Sequence, residues 1–331
     1  MSTPLLEIDD LSVEYVTEAR TVRAVDRVTF SIAEREVFGL AGESGCGKST
    51  IANAILRLLR DPAVIAGGSI RFAGTDVLAL GADELRDFRW RQVAMVFQSA
   101  MNSLNPVMTI GDQIADIFTT HEGVSKKTAI ARAGELLDLV GIPRDRLRSY
   151  PHQLSGGMRQ RVVIAMATAL RPPLLIMDEP TTALDVVVQQ EIMAQIKELQ
   201  RELGFAILFI THDISLMVEL SDRMAIMYAG RFVETGSVAD VMDSPRHPYT
   251  EGLLRSTVHA GTRGQRLDPI PGAPPDLTDL PPGCAFAPRC SYVTDTCIEA
   301  VPPTHTVGNN HAARCIRNRE GDYKAAGAAS A

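Results

Sequence analysis

Residues 42–49 read Gly42-Glu43-Ser44-Gly45-Cys46-Gly47-Lys48-Ser49. The octapeptide satisfies G-x-x-x-x-G-K-[ST] in full, and Thr50 leads on into a segment of helical spacing. Glycines let the backbone curl until successive N–H groups face one point, and a helix opening directly behind them adds positive potential there. A polyphosphate fits such a cradle. Lys48 supplies a cation for the β- and γ-phosphates, and Ser49 offers its hydroxyl to Mg²⁺. Both flanks agree. Upstream, Glu36-Val37-Phe38-Gly39-Leu40-Ala41 is a short apolar run of strand character, and downstream Ser49 to Leu56 has helical spacing. A chance Gly-rich turn would need neither flank. The loop is therefore read as binding a nucleoside triphosphate through Gly42, Ser44, Gly45, Cys46, Gly47, Lys48, Ser49 and Thr50.

Further along, the apolar runs Leu174 to Met177, Ala206 to Ile210 and Met224 to Tyr228 alternate with helical segments such as Gln189 to Leu203. Short buried strands alternating with helices imply an α/β fold with a mostly parallel sheet. The opening segment has a different period. Leu6, Ile8, Leu11, Val13 and Tyr15, then Val28, Phe30 and Ile32, alternate apolar with polar and predict half-buried antiparallel strands. From about residue 80 to 170 the sequence is helix-rich and has no buried strand after Val93 to Phe97, which predicts a helical subdomain inserted near residues 85–168. Beyond about residue 260 prolines and glycines become frequent, as in Pro281-Pro282-Gly283. The expected division is a nucleotide-binding domain over 1–260 and a loop-rich extension over 261–331, with a disordered Ala-rich end.

One strand ends in charge. Leu174-Leu175-Ile176-Met177-Asp178-Glu179 is four apolar residues and then two acids. A buried parallel strand delivers both carboxylates to the carboxyl edge of the sheet, where ligands of open α/β sheets collect. Asp178 is expected to reach Mg²⁺ through water, and Glu179 to take a proton from the attacking water.

Composition sets outer limits. The 331 residues exceed one average domain, and 45% apolar content is ample for a core. No stretch approaches the roughly 18 to 20 apolar residues that span a bilayer. The start, MSTPLLEIDD, lacks the basic-then-apolar pattern of a signal peptide, so a cytoplasmic protein is expected. A net charge of −7 without a basic stripe argues against nucleic acid as the partner.

Leu154-Ser155-Gly156-Gly157-Met158-Arg159-Gln160-Arg161 adds a second anion site, a hydroxyl and free N–H groups at a helix start. The segment resembles the signature sequence of ABC ATPases, which other phosphate-loop proteins lack. Met158 stands where the broad pattern has Gln, though peptide-importer subunits commonly show Met there. Other family positions fall in order. Gln98 resembles the Q-loop glutamine that touches Mg²⁺ and the attacking water. Asp185, in Ala183-Leu184-Asp185, resembles the D-loop residue at the dimer interface. His212 resembles the switch histidine on the γ-phosphate, and Tyr15 the aromatic that stacks on adenine. The resemblance covers roughly residues 5 to 250. It implies a phosphate-loop NTPase of the ABC type: a parallel core, an antiparallel β subdomain and an inserted helical subdomain. It also implies Mg²⁺ held by Ser49, Gln98 and Asp178, with ATP sandwiched between the loop of one subunit and the signature segment, Leu154 to Met158, of another. The implied partners are a second, non-identical ATPase subunit, two transmembrane permeases and an extracytoplasmic peptide-binding protein, which place the chain at the cytoplasmic face of the inner membrane. A nickel or other small-solute importer is an alternative. Soluble ABC ATPases of nucleic-acid or iron–sulfur assembly work are remote ones, because a single cassette without a long coiled coil fits the first poorly.

Ser244-Pro245-Arg246-His247-Pro248-Tyr249-Thr250 resembles the segment that opens the extension of dipeptide, oligopeptide and nickel importer ATPases; its plain reading is a turn into the helix Glu251 to Arg255. After it come Cys284, Cys290, Cys297 and Cys315, separated by five, six and seventeen residues. Four thiolates on a loop-rich scaffold suit Zn²⁺ or an iron–sulfur cluster, or remain free. Structural zinc sites favour pairs two to four residues apart, and neither short gap here fits. The wider gaps suit a cubane, and the family resemblance implies a [4Fe–4S] cluster, with Zn²⁺ as the alternative.

Overall fold

A computed structural model describes residues 4–98, 103–182, 184–256 and 270–318. The boundary expected at 260 and the Ala-rich end lie outside the described residues. The chain divides into two compact units: Ile32–Glu36 and Ala79–Phe209 with the first few residues, and Leu6–Ser31, Val37–Leu78 and the chain from Ile210 onward.

The first unit carries helices α2 (Ala82–Arg91), α3 (Ile110–Glu122), α4 (Lys126–Leu139), α5 (Gly156–Thr168) and α6 (Val186–Leu203). Its strands are β6 (Val93–Val96), β7 (Leu174–Asp178) and most of β8 (Ala206–Thr211). β6 and β7 run parallel, with Val93 opposite Leu174 and Val96 opposite Met177. Every residue of β7 and β8 is buried, which is why these strands read as unbroken apolar runs and not as alternation. α3 and α4 fill the stretch read as helical. The hydroxyls of Thr109 and Ser125 accept the N–H of Asp112 and Thr128 and so fix where each helix begins.

The second unit holds β1 (Leu6–Val16), β2 (Thr21–Ile32), β3 (Val37–Ala41), α1 (Lys48–Ile55), β4 (Ala63–Phe72) and β5 (Thr75–Asp76). From its later part come α7 (Ile214–Leu220), β9 (Arg223–Tyr228), β10 (Arg231–Ser237), α8 (Val238–Asp243), α9 (Pro248–Arg255), α10 (Asp295–Glu299), β11 (His305–Gly308) and β12 (His311–Ala313). One sheet has the order β2-β1-β4-β5, and β1 pairs antiparallel with β4 from Leu6 against Phe72 to Tyr15 against Ala63. The alternation at Leu6, Ile8, Leu11 and Val13 is the buried face of this strand. In the other sheet β3 lies parallel to β9, and β10, β12 and β11 follow antiparallel.

Within residues 270–318 the loop-rich chain carries short elements that pack on the second unit's core. β12 adds to the edge of β10, Glu234 facing Ala313, and Phe286 enters the core formed by Met224, Ile226, Tyr228, Val241 and Tyr249. Three aromatic rings meet there, with Tyr228 4.6 Å from Tyr249 and 5.3 Å from Phe286 between centroids.

Candidate active site

β3 is buried throughout and hands the chain to the phosphate loop at Gly42. Gly47 has φ 109°, and a Cβ there would stand 2.2 Å from the carbonyl oxygen of Ala24, so only glycine fits. It is also the N-cap of α1, and having no side chain it leaves the first-turn N–H groups without a side-chain partner, as an anion site needs. Lys48 is buried, and its ammonium donates to the carbonyls of Gly42 at 2.8 Å and Glu43 at 2.9 Å. Ser44 and Gly45 form the exposed apex, while Ser49 and Thr50 are half-buried. Cys46 is buried beside Lys48, and burial pushes its thiol pKa up, so the side chain fills space as a neutral group. In the same unit Tyr15 lies half-buried near the end of β1, and His212 is exposed just past Thr211, the last residue of β8.

The first unit assembles the acidic pair. Asp178 closes β7 and is 4% exposed. Glu179 follows at φ 48°, a left-handed conformation that costs a non-glycine residue on the order of 1–3 kcal/mol and that clusters at functional sites. Because β6 and β7 run in parallel register, Gln98 leaves β6 abreast of Glu179. The Gln98 amide donates to Glu179 Oε2 at 2.8 Å, and the Thr182 hydroxyl donates to the same oxygen at 3.1 Å. Two residues distant in sequence, chosen for one reaction, thus meet in one hydrogen bond.

Ser155 is the N-cap of α5 and accepts the N–H of Met158 at 3.2 Å; Leu154 beside it is buried, and Gly156 and Gly157 form the first turn. Asp185 caps α6 in the same way, accepting the N–H of Val188 at 3.0 Å. Next to it Val186 and Val187 are 70% and 66% exposed. Ala183 lies outside the described residues.

The His-Pro-Tyr segment does more than turn the chain. His247 Nδ1 accepts the N–H of Tyr249 at 3.0 Å and caps α9, while its backbone N–H donates to the buried Glu234 carboxylate at 2.9 Å. Full burial lowers the His247 pKa to about 3, so the ring is neutral. Tyr249 is fully buried, and its hydroxyl accepts the N–H of Glu43 in the phosphate loop at 2.9 Å. Glu234 also accepts the N–H of Arg246 and pairs with His311 Nε2 at 2.8 Å, which ties β12 to the segment.

Cys284, Cys290, Cys297 and Cys315 line one small cavity with Phe286, Tyr292 and Pro302. Gly283 makes the convergence possible, since a Cβ there would lie 2.1 Å from the Cys297 carbonyl oxygen. Burial raises the pKa of Cys284 and Cys290, and burial with the neighbouring thiols pushes Cys315 up to about 12. Neither the iron–sulfur expectation nor its zinc alternative is shown. Among the described residues no group of three or more His, Cys, Asp or Glu side chains is gathered as a single metal ion requires. The loops bring the sulfurs to a common cavity without that tetrahedral closeness, and a metal centre of either kind is not shown.

Sequence reading did not find Arg289, Glu234 or the reach of Tyr249 to Glu43. Arg289 precedes Cys290 with no motif around it, and only its position in space distinguishes it.

Residues 25–182 match the ABC transporter family, and residues 233–297 match the C-terminal region of oligopeptide/dipeptide transporters. A Brucella melitensis protein named for ATP binding in peptide import is 47% identical over 331 residues, covering 96% of this chain and 98% of that one. The oligopeptide transport ATP-binding protein OppD of Bacillus subtilis is 46% identical, covering 93% of this chain and 87% of its own length. Among solved structures, the ATP-binding cassette MJ0796, in a dimeric post-hydrolysis state bound to ADP and Pi, superposes with a TM-score of 0.63 at 28% identity, over 70% of this chain and 98% of that one.

Proposed function

The chain belongs to the ABC transporter family, among the ATP-binding subunits of peptide importers, and from that premise we propose that it hydrolyses ATP to drive uptake of short peptides. One observation carries the reading: a complete phosphate loop and a peptide-transporter C-terminal region occur in one chain, with Tyr249 of that region bonded to Glu43 of the loop.

Each side chain then has a task. Tyr15 stacks on adenine. The N–H groups from Gly42 to Thr50 and the Lys48 ammonium hold the phosphates. Ser49, Gln98 and Asp178 carry hard oxygen donors of the kind Mg²⁺ takes and would hold it; the ion would supply positive charge against that of the phosphates. Glu179, held by Gln98 and Thr182, accepts a proton from water as its oxygen bonds to the γ-phosphorus and the bond to the bridging oxygen breaks, leaving ADP and phosphate. His212 contacts the γ-phosphate. Ser155 to Met158 act on ATP held by a second cassette, and the exposed Val186 and Val187 beside Asp185 suit a protein interface.

Among the described residues no helix is long and apolar enough to cross a membrane. Work across the bilayer falls to partners: a second, non-identical cassette, two permeases and an extracytoplasmic peptide-binding protein, with this chain at the cytoplasmic face of the inner membrane. The four thiols around one cavity support a [4Fe–4S] cluster, whose four corner irons each take one thiolate and so hold the sulfurs further apart than a single ion does. It would clamp the loops that carry Cys284, Cys290, Cys297 and Cys315, in an extension assigned to 261–331 that follows a nucleotide-binding domain assigned to 1–260.

Uptake of labelled di- and oligopeptides tests the reading. Cells lacking the gene regain uptake when the wild-type chain is returned and not when Glu179→Gln is returned. Uptake that is equal with and without the chain would remove peptide import from its function.

A further inference from the structure

Three contacts of different chemistry converge on one residue of the phosphate loop. The Glu43 N–H donates to Tyr249 Oη at 2.9 Å, and its carbonyl accepts the Lys48 ammonium at 2.9 Å. Its carboxylate receives the fork of Arg289, Nη1 to Oε2 at 2.7 Å and Nη2 to Oε1 at 2.9 Å. Arg289 is itself held on every side. Its Nε donates to the Pro271 carbonyl at 2.8 Å and its Nη1 to Tyr228 Oη at 3.2 Å, and the residue is 9% exposed. The backbone around it is fastened to the cysteines. The Ala287 N–H donates to the Cys284 carbonyl at 2.9 Å, and the Cys290 N–H donates to the Ala287 carbonyl at 3.2 Å. One rigid turn thus carries two of the four thiols and, between them, the guanidinium that grips the loop.

We propose that Arg289 is a positioning residue for ATP binding: through Glu43 it holds the phosphate loop in the shape the nucleotide requires, and it makes that shape depend on the cysteine-bearing extension. The inference rests on the reading of residues 42–50 as the ATP site. Two features separate this from a plain surface ion pair. The pair is bidentate and mostly buried, the geometry in which Arg and carboxylate fix orientation as well as position. And Glu43 lies next to the exposed apex Ser44-Gly45, where the loop has little other packing to hold it. A loop ordered before the ligand arrives binds more tightly, because ordering is no longer charged against association. The core of Tyr228, Tyr249 and Phe286 contains no part of the Glu43 carboxylate, so releasing the grip from the Glu43 side spares the fold, whereas Arg289 also bonds Tyr228.

The test is Mg–ATP titration of the purified full chain, with the melting temperature of the nucleotide-free protein measured alongside. Arg289→Ala is expected to weaken binding about tenfold, as loss of a hydrogen-bonded charge pair does. Arg289→Lys is expected to recover part of the loss, since a point charge replaces one of two bonds. Glu43→Gln should weaken binding in the same direction without disturbing the core. The double variant should bind no worse than Arg289→Ala alone, because both act through one link. If Arg289→Ala melts early, Glu43→Gln alone decides, because its site is peripheral to the core. Binding within twofold of wild type in the folded variant, or losses that simply add, would overturn the link. Failure of the wild-type chain to bind Mg–ATP would instead sink the reading of the site itself.

Discussion

Replacing Glu179 by Gln separates binding from chemistry. The Glu179 carboxylate accepts the Gln98 amide at 2.8 Å and the Thr182 hydroxyl at 3.1 Å through one oxygen, Oε2. A glutamine carbonyl oxygen accepts both, so the hydrogen bonds survive, and Gln tolerates φ 48° no worse than Glu does. Nucleotide-free stability should therefore change by no more than about 0.5 kcal/mol. Because the substitution removes a negative charge and the phosphates are themselves negative, ATP affinity should be unchanged or slightly raised. On the proposed role the lost function is proton acceptance, and a positioned general base contributes about 10²–10⁴-fold. At about 1.36 kcal/mol per factor of ten, the barrier rises by roughly 3–5 kcal/mol. The assay is phosphate release from bound ATP, read beside an equilibrium binding titration and a thermal melt. Hydrolysis slowed at least a hundredfold with binding intact fits the assignment. Phosphate release within about threefold of wild type would remove Glu179 as the base, whatever its place next to Gln98.

Ser155→Ala removes the N-cap of α5 and should cost about 1 kcal/mol of stability; if Ser155 serves the nucleotide of a second cassette, as proposed, hydrolysis by the assembled complex should fall while ATP binding to the isolated chain stays unchanged. His247 adds a pH dependence of definite sign. Its folded pKa, lowered to about 3, lies below the unfolded value near 6.5, so below pH 6.5 the unfolded chain binds the extra proton and stability falls with pH by up to about 1.4 kcal/mol per unit. Denaturant melts at pH 6.5 and 5 should show this slope in wild type and its loss in His247→Asn, whose side chain still caps α9; equal slopes would contradict the neutral buried ring. Anaerobic purification should yield about four irons and four sulfides per chain, with both lost in Cys297→Ser; an anaerobic preparation without iron would remove the cluster.

The sequence was most readable where local chemistry and fold coincide. Gly47 must be glycine for a backbone reason, and the buried run Leu174 to Met177 must end at Asp178 for a sheet reason, so the order of residues alone places both. Gln98 was placed through resemblance alone; its bond to Glu179 follows from the parallel register of β6 and β7, which spacing in the chain does not state. β4 escaped notice because Gly67-Gly68 interrupts its alternation, and β11 and β12 because three or four residues are too few to show a period. The packing of Phe286 has no local signal either: proline frequency reports local stiffness, whereas Phe286 joins the core through contacts across the chain with Tyr228 and Tyr249. Arg289 has no signature at all, since an arginine acquires its role from the carboxylate it faces.

ATP hydrolysis by the complete complex in lipid vesicles, with and without peptide-loaded binding protein, tests the central claim most directly. Peptide-loaded binding protein should raise hydrolysis several-fold above the unloaded protein, and Glu179→Gln should abolish the rise. Hydrolysis that proceeds at one rate regardless of peptide would contradict the account of this chain as the motor of peptide import.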